Sequence, residues 1–289
     1  MRYVTFGGCK PGRLGAVILP TLLALGLGGC ETVGAVGSVG TGVAEVVPQN
    51  KDTGVNIESL SDVIQRNPND SEAYNTRGAA YARVGNFSDA VADFTKAVQL
   101  NPRNAAAFTN RALADRQTSH PDLALADFNQ ALQANPNHVP AYIGRANLLR
   151  AQGNFQQAMA DLDQAIKLNP EGGLGAQAFH ARGLIHQRQG EQVQAVTDFD
   201  NAIDRDPFVA APYQARAQSL IAQNKYPAAI EDLNAALNVD TKNADAWANL
   251  GVAYEKSGNA VKARESFARA KVIDPRNDLA SQGLARIGS

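Results

Sequence analysis

The chain has 289 residues, 44% of them hydrophobic, and a formal net charge of −1. Residues 1–29 hold three bases (Arg2, Lys10, Arg13) and no acid, so the remainder sets 24 bases against 28 acids, a net charge of −4. That balance excludes generic nucleic-acid binding, which needs a basic face and usually a high isoelectric point. With aromatics at only 6% and alanine abundant, the composition suits close helix packing better than β-sheet.

The chain opens with a positively charged start followed by an apolar run from Leu14 to Gly29, broken by Pro20 and rich in glycine toward its end. It falls short of the roughly 18 strongly apolar residues of a membrane span and fits the apolar region of a signal peptide. Its end, Leu27-Gly28-Gly29-Cys30, resembles a bacterial lipobox. The resemblance implies cleavage after residue 29 and lipid on Cys30. Cys9 would leave with the signal, and a single remaining cysteine makes neither an intrachain disulfide nor a metal site. Acyl chains on Cys30 would hold the protein to a bilayer at about 0.8 kcal/mol per buried CH₂. In bacterial lipoproteins an aspartate after the cysteine often marks inner-membrane retention; Glu31 here points instead to the outer membrane, with the body facing the periplasm. Residues 30–55 are rich in Gly, Val, Ser and Thr and show no helical period. They read as a tether with a random-coil span of about 25 Å.

From Ser71 the sequence repeats itself every 34 residues. Units begin at Ser71, Ala105 and Val139; after three extra residues, Gly173-Leu174-Gly175, the period resumes at Ala176, Ala210 and Ala244. Unit position 4 is aromatic throughout (Tyr74, Phe108, Tyr142, Phe179, Tyr213, Trp247). Positions 20 and 27 are alanine in all six units, and position 24 is Phe or Leu. Apolar residues at 4, 8 and 11 and again at 20, 24 and 27 mark two helices per unit, A and B. Gly85, Gly153, Gly190 and Gly258 at position 15 end helix A, and proline at position 32 ends helix B in five units.

This pattern resembles the tetratricopeptide repeat (TPR) family, and the resemblance covers residues 71–277. It implies an all-α fold: an α-solenoid of six helix pairs within 56–289, preceded by a half-repeat helix and closed by a C-terminal capping helix. The half-repeat spans Asn56 to Asn67, with Leu60 and Val63 expected at positions 24 and 27 on its inner face. The cap runs from Asp278 to Ile287, with Leu279, Leu284 and Ile287 apolar; so short a helix requires docking to exist.

Position 7, usually apolar in that family, is arginine in units one to five (Arg77, Arg111, Arg145, Arg182, Arg216) and Leu250 in unit six. Position 23 is aspartate in the same five (Asp93, Asp127, Asp161, Asp198, Asp232) and Ser266 in unit six. Appearing and vanishing together, they are expected to pair between helices A and B of one unit. Pairing each arginine with the preceding unit's aspartate would instead strand Arg77 and Asp232.

No catalytic constellation emerges. His120, His138, His180 and His186 lack metal-ligand spacing, His186 sits at a core position, and no phosphate-binding glycine loop occurs. The chain therefore reads as a non-enzyme without cofactor or metal.

The resemblance further implies that positions 2, 5, 9, 12 and 13 of helix A line a groove that binds partner segments. Here these include Arg83, Arg116, Arg150 and Arg188, with Asn75, Gln117, Asn147, His180, Gln187, Gln214 and Gln218 beside them. Such a groove suits a protein or peptide partner with acidic character. The carboxylate clamp of chaperone-binding members is not matched, since Asn75 is followed by Ala79 at the second clamp position. Similar architectures serve as pilotins, outer-membrane assembly factors and scaffolds of cell-wall enzymes. Direct association with peptidoglycan is the alternative to a protein partner.

Overall fold

The computed structural model describes residues 57–288; the signal segment, Cys30 and the tether lie outside them. Among the described residues there are fourteen helices and no strand. A lone helix α1 (Ile57–Arg66) precedes six antiparallel pairs. These are α2 (Ser71–Arg83) with α3 (Phe87–Leu100), α4 (Ala105–Gln117) with α5 (Pro121–Ala134), and α6 (Val139–Ala151) with α7 (Phe155–Leu168). Next come α8 (Gly172–Arg188) with α9 (Gln192–Arg205), α10 (Ala210–Ala222) with α11 (Tyr226–Val239), and α12 (Ala244–Lys256) with α13 (Ala260–Ile273). Helix α14 (Asp278–Gly288) closes the array.

Local chemistry sets the boundaries. Asp70, Asn86, Asn104, Asn154, Asn243 and Asn259 each accept a bond from a first-turn backbone N–H through the side chain, satisfying donors the helix leaves open. The turn from A to B needs a left-handed residue, and the four position-15 glycines supply it at φ between +79° and +83°. Units two and five make the same turn with Ser119 (φ +64°) and Asn224 (φ +59°), so the geometry persists without glycine.

All twelve alanines at positions 20 and 27 have no exposed surface, and the position-24 side chains are equally buried. Larger residues at the alanine sites would hold the two axes apart. At position 8 the fit is tighter still. A Cβ on Gly183 would stand 2.6 Å from Phe199, and one on Gly251 only 2.5 Å from Phe267. The aromatic ring lies directly on the backbone of the facing helix.

Two details go beyond the repeat register. First, the three extra residues join α8, which runs 17 residues as one helix and so carries an added N-terminal turn. Gly175 lets that turn sit on the Asn169 and Pro170 carbonyls, which a Cβ would approach to 2.9 Å. Arg205 holds it from the other side, donating to the Pro170 carbonyl and lying 4.5 Å from the Phe179 ring. Second, the expected inner face of α1 is corrected. Leu60 is half-buried, but Val63 is 39% exposed and Ile64 is buried in its place. Position 27 normally packs against the helix A of its own unit, which α1 lacks among the described residues. Position 28 faces the next unit, as Val98 does beside Phe108, and that side alone is covered.

At the other end the cap docks as expected. Leu279, Leu284 and Ile287 pack on a cluster containing Phe267, whose ring fits between Gly251 and Gly283. Arg286 makes two bonds of 2.8 Å to Glu255, and Arg264 donates to the Ile287 carbonyl.

Candidate functional site

The five position-7 arginines prove to be structural. Each donates Nε and one terminal nitrogen to both oxygens of the aspartate in its own unit, at 2.6 to 2.9 Å. The aspartates are buried, and bidentate pairing of this kind is strong as well as directional. These hydrogen bonds, opposed by burial, raise the arginine pKa values further above their ordinary range.

A third partner escaped the sequence reading. The remaining terminal nitrogen reaches into the preceding unit, to Ser61 (3.0 Å), Thr95 (3.2 Å), Asn129 (2.6 Å), Asp163 (2.7 Å) and Asp200 (2.6 Å). All five stand at position 25, and their shared polarity was the available signal. The guanidinium also lies 5.4 to 5.9 Å from its unit's position-4 ring. Every donor edge and one face are thereby engaged.

Among the described residues no three or more His, Cys, Asp or Glu side chains are grouped so as to hold a metal ion. His186 bonds Glu191 at 2.6 Å, with its other nitrogen 3.7 Å from Asp198. His120 bonds Thr118, and burial lowers the pKa of His138. An acid that sequence reasoning passed over, Asp115, is buried at position 11 of unit two, where its pKa is raised by burial and then by Asp127.

The predicted groove residues divide by role. Asn75 is buried and spends its amide on Glu72 and Asn110. Gln187 links α8 to α10 by donating to the Ala215 carbonyl and Ser219, and Gln214 accepts from Asn243. Arg83, Gln117, Arg188 and Gln218 stand exposed. The remaining four, Arg116, Asn147, Arg150 and His180, converge from α4, α6 and α8 on one pocket of about 150 Å³. Leu113, Ile143, Leu174 and Leu184 are among its apolar walls, and no acid lines it. A shallower hollow beside it shares Arg150 and adds Phe155, Gln187 and Arg188.

The electrostatics of the pocket are one-sided. Burial, then the charge of Arg116, lowers the Arg150 pKa. Burial and Arg150 together push His180 down to about 4, so its imidazole is neutral at pH 7. Arg150 Nε is buried without an acceptor among the described residues, and its terminal nitrogen reaches only Asn147, at 3.5 Å.

Family profiles described as "Tetratricopeptide repeat" match residues 71–104, 139–171 and 244–277, and one described as "TPR repeat" matches 217–258. Among curated proteins the chain is similar to Protein bimA of Emericella nidulans, 29% identical over 104 residues, which are 36% of this chain and 13% of that protein. Among solved structures it superposes on a chain of the APC/C hetero-tetramer Cut9-Hcn1 with a TM-score of 0.72 at 20% identity, over 81% of this chain and 46% of that one. On PilW, a type IV pilus biogenesis factor, the score is 0.67 at 20% identity, over 74% and 98% of the two chains. The chain thus spans a small part of bimA and under half of the Cut9-Hcn1 chain, and likeness at 20% identity speaks for the fold. With the 34-residue units, the stacked helix pairs and these matches in hand, the chain belongs to the tetratricopeptide repeat family.

Proposed function

We propose that this chain is a non-enzymatic scaffold that holds a segment of a partner protein against its A-helix face, anchored in a bacterial envelope by lipid on Cys30. The observation that carries the reading is the contrast within the arginines. Those at position 7 are saturated by the chain's own acids, whereas Arg116 and Arg150 converge on a pocket that no acid lines. Cations held partly out of water without a counter-charge are costly to the isolated protein and favour an anionic visitor. The anchor rests on Leu27-Gly28-Gly29-Cys30 and the tether after it. The likeness to PilW makes assembly of an envelope machine one setting for such a scaffold.

A photo-crosslinking side chain at Gln117 or Gln218, both exposed on A helices, should form adducts with a partner in intact cells; at Val193 or Val261, exposed on B helices, it should not. Equal labelling from both sides removes the A-face assignment. Sedimentation of the purified protein with peptidoglycan in the absence of other proteins would favour glycan as the ligand instead. For the anchor, palmitate labelling should be lost in Cys30→Ser; labelling that persists refutes it.

A further inference from the structure

We propose that the pocket between α4, α6 and α8 receives the carboxylate of a glutamate or aspartate side chain from the partner, bound by Arg116, Arg150 and His180 with Asn147 beside them. This deepens the scaffold reading and rests on it, but adds a specific chemistry at a specific place.

Three independent features point there. First, the chain gives each of the five position-7 arginines a bidentate carboxylate, and here two guanidiniums share a pocket whose lining contains none. A carboxylate placed between them would complete at this site the pairing the other five already have. Second, the unmet donors are specific atoms: Arg150 Nε has no acceptor among the described residues, and burial leaves the His180 imidazole neutral and able to donate. The charged groups lining the pocket with His180 are Arg116 and Arg150, both cationic, so nothing present competes with an incoming anion. Third, the size and walls select the visitor. About 150 Å³ admits one side chain, and the adjoining hollow of about 480 Å³, which shares Arg150 and Leu184, leaves room for the peptide that carries it. Leu113, Ile143 and Leu174 offer apolar surface for a methylene stem behind the charged end. An inorganic anion would leave that surface unused.

The break in the period now has a use. Leu174 belongs to the three-residue insertion, and it reaches the pocket because the insertion lengthens α8 instead of looping out. Unit four therefore contributes both a wall and His180 to this one junction.

The test uses the full chain and two pools of end-blocked nonapeptides, random except for a central glutamate in one and glutamine in the other. The glutamate pool should be retained about tenfold more strongly or better, the usual worth of a hydrogen-bonded charge. Its addition should raise the His180 titration midpoint, read by ¹⁵N NMR, from about 4. Arg116→Met and Arg150→Met should each bring the glutamate pool down to the glutamine level with unchanged helicity. Leu174→Glu, which places a carboxylate at the pocket from within, should abolish the preference and raise the His180 midpoint without peptide. Equal retention of the two pools overturns the carboxylate assignment while leaving the scaffold reading intact. A His180 shift with inorganic phosphate but not with the glutamate pool overturns it in favour of a phosphate site. Retention of neither pool overturns it too, and the scaffold reading then stands or falls on the crosslinking.

Discussion

Asp115 shows what a single residue can cost a repeat. Position 11 is elsewhere Tyr81, Leu149, His186, Leu220 or Tyr254, side chains that fill space beside helix B. Asp115 instead puts a carboxylate there, 6% exposed, next to an Asp127 already committed to Arg111. Burial and then the Asp127 charge raise its pKa, and Arg111 and His120 only partly oppose them. An acid whose folded pKa lies above its unfolded one favours the native state only while protonated. Stability is therefore lost as pH rises from the ordinary aspartate range through the raised value. Asp115→Asn should stabilise at pH 7 by on the order of 1 kcal/mol. In urea unfolding series the gain should shrink as pH falls and vanish below the ordinary aspartate range near about 3.9. A gain independent of pH would assign the effect to packing. Burial likewise disfavours the charged forms of Arg150 and His180, at a site open to a ligand.

Between elements, the arginine at position 7 is a three-way clamp, joining helix A to its own helix B and to the helix B before it. Part of this was legible: Arg and Asp disappear together in unit six, where Leu250 and Ser266 are buried instead. The link to position 25 was not, because Ser61, Thr95, Asn129, Asp163 and Asp200 have only polarity in common. Breaking a buried pair leaves an unpaired charge, whereas replacing both partners removes the problem. Asp161→Ala should therefore cost roughly 3–5 kcal/mol in thermal or urea unfolding, and the double change Arg145→Met, Asp161→Leu distinctly less. Equal losses would mean that the pair does not act as a unit. The reading of α1 failed at Val63 for a related reason. The repeat register assigns position 27 to a partner helix; α1 has none among the described residues, and the same register leaves Val63 exposed.

For the molecule as a whole, each pair contacts chiefly its neighbours, so stability is a chain of nearest-neighbour terms and the ends matter most. Phe267 has no exposed surface only because α14 lays Gly283 against it. Deleting residues 278–289 should remove about 2–3 kcal/mol, the worth of one buried large side chain, from the last units. Hydrogen exchange in α12 and α13 should accelerate while that in α2 to α5 is unchanged; a uniform loss along the chain would deny the neighbour-by-neighbour account.

Sequence alone was enough for the helix pairs, their limits apart from the start of α8, the all-alanine seams and the Arg–Asp pairing. In a repeat array interacting residues stand at fixed separations along the chain, so periodicity is a direct image of contact. Tertiary structure alone decided that the insertion lengthens α8, that Asn75 and Gln187 are spent on neighbouring helices, and that Arg116, Asn147, Arg150 and His180 meet. Those outcomes depend on which polar atoms are left over once three helices converge, and a leftover is defined by the whole neighbourhood of an atom, which no spacing records.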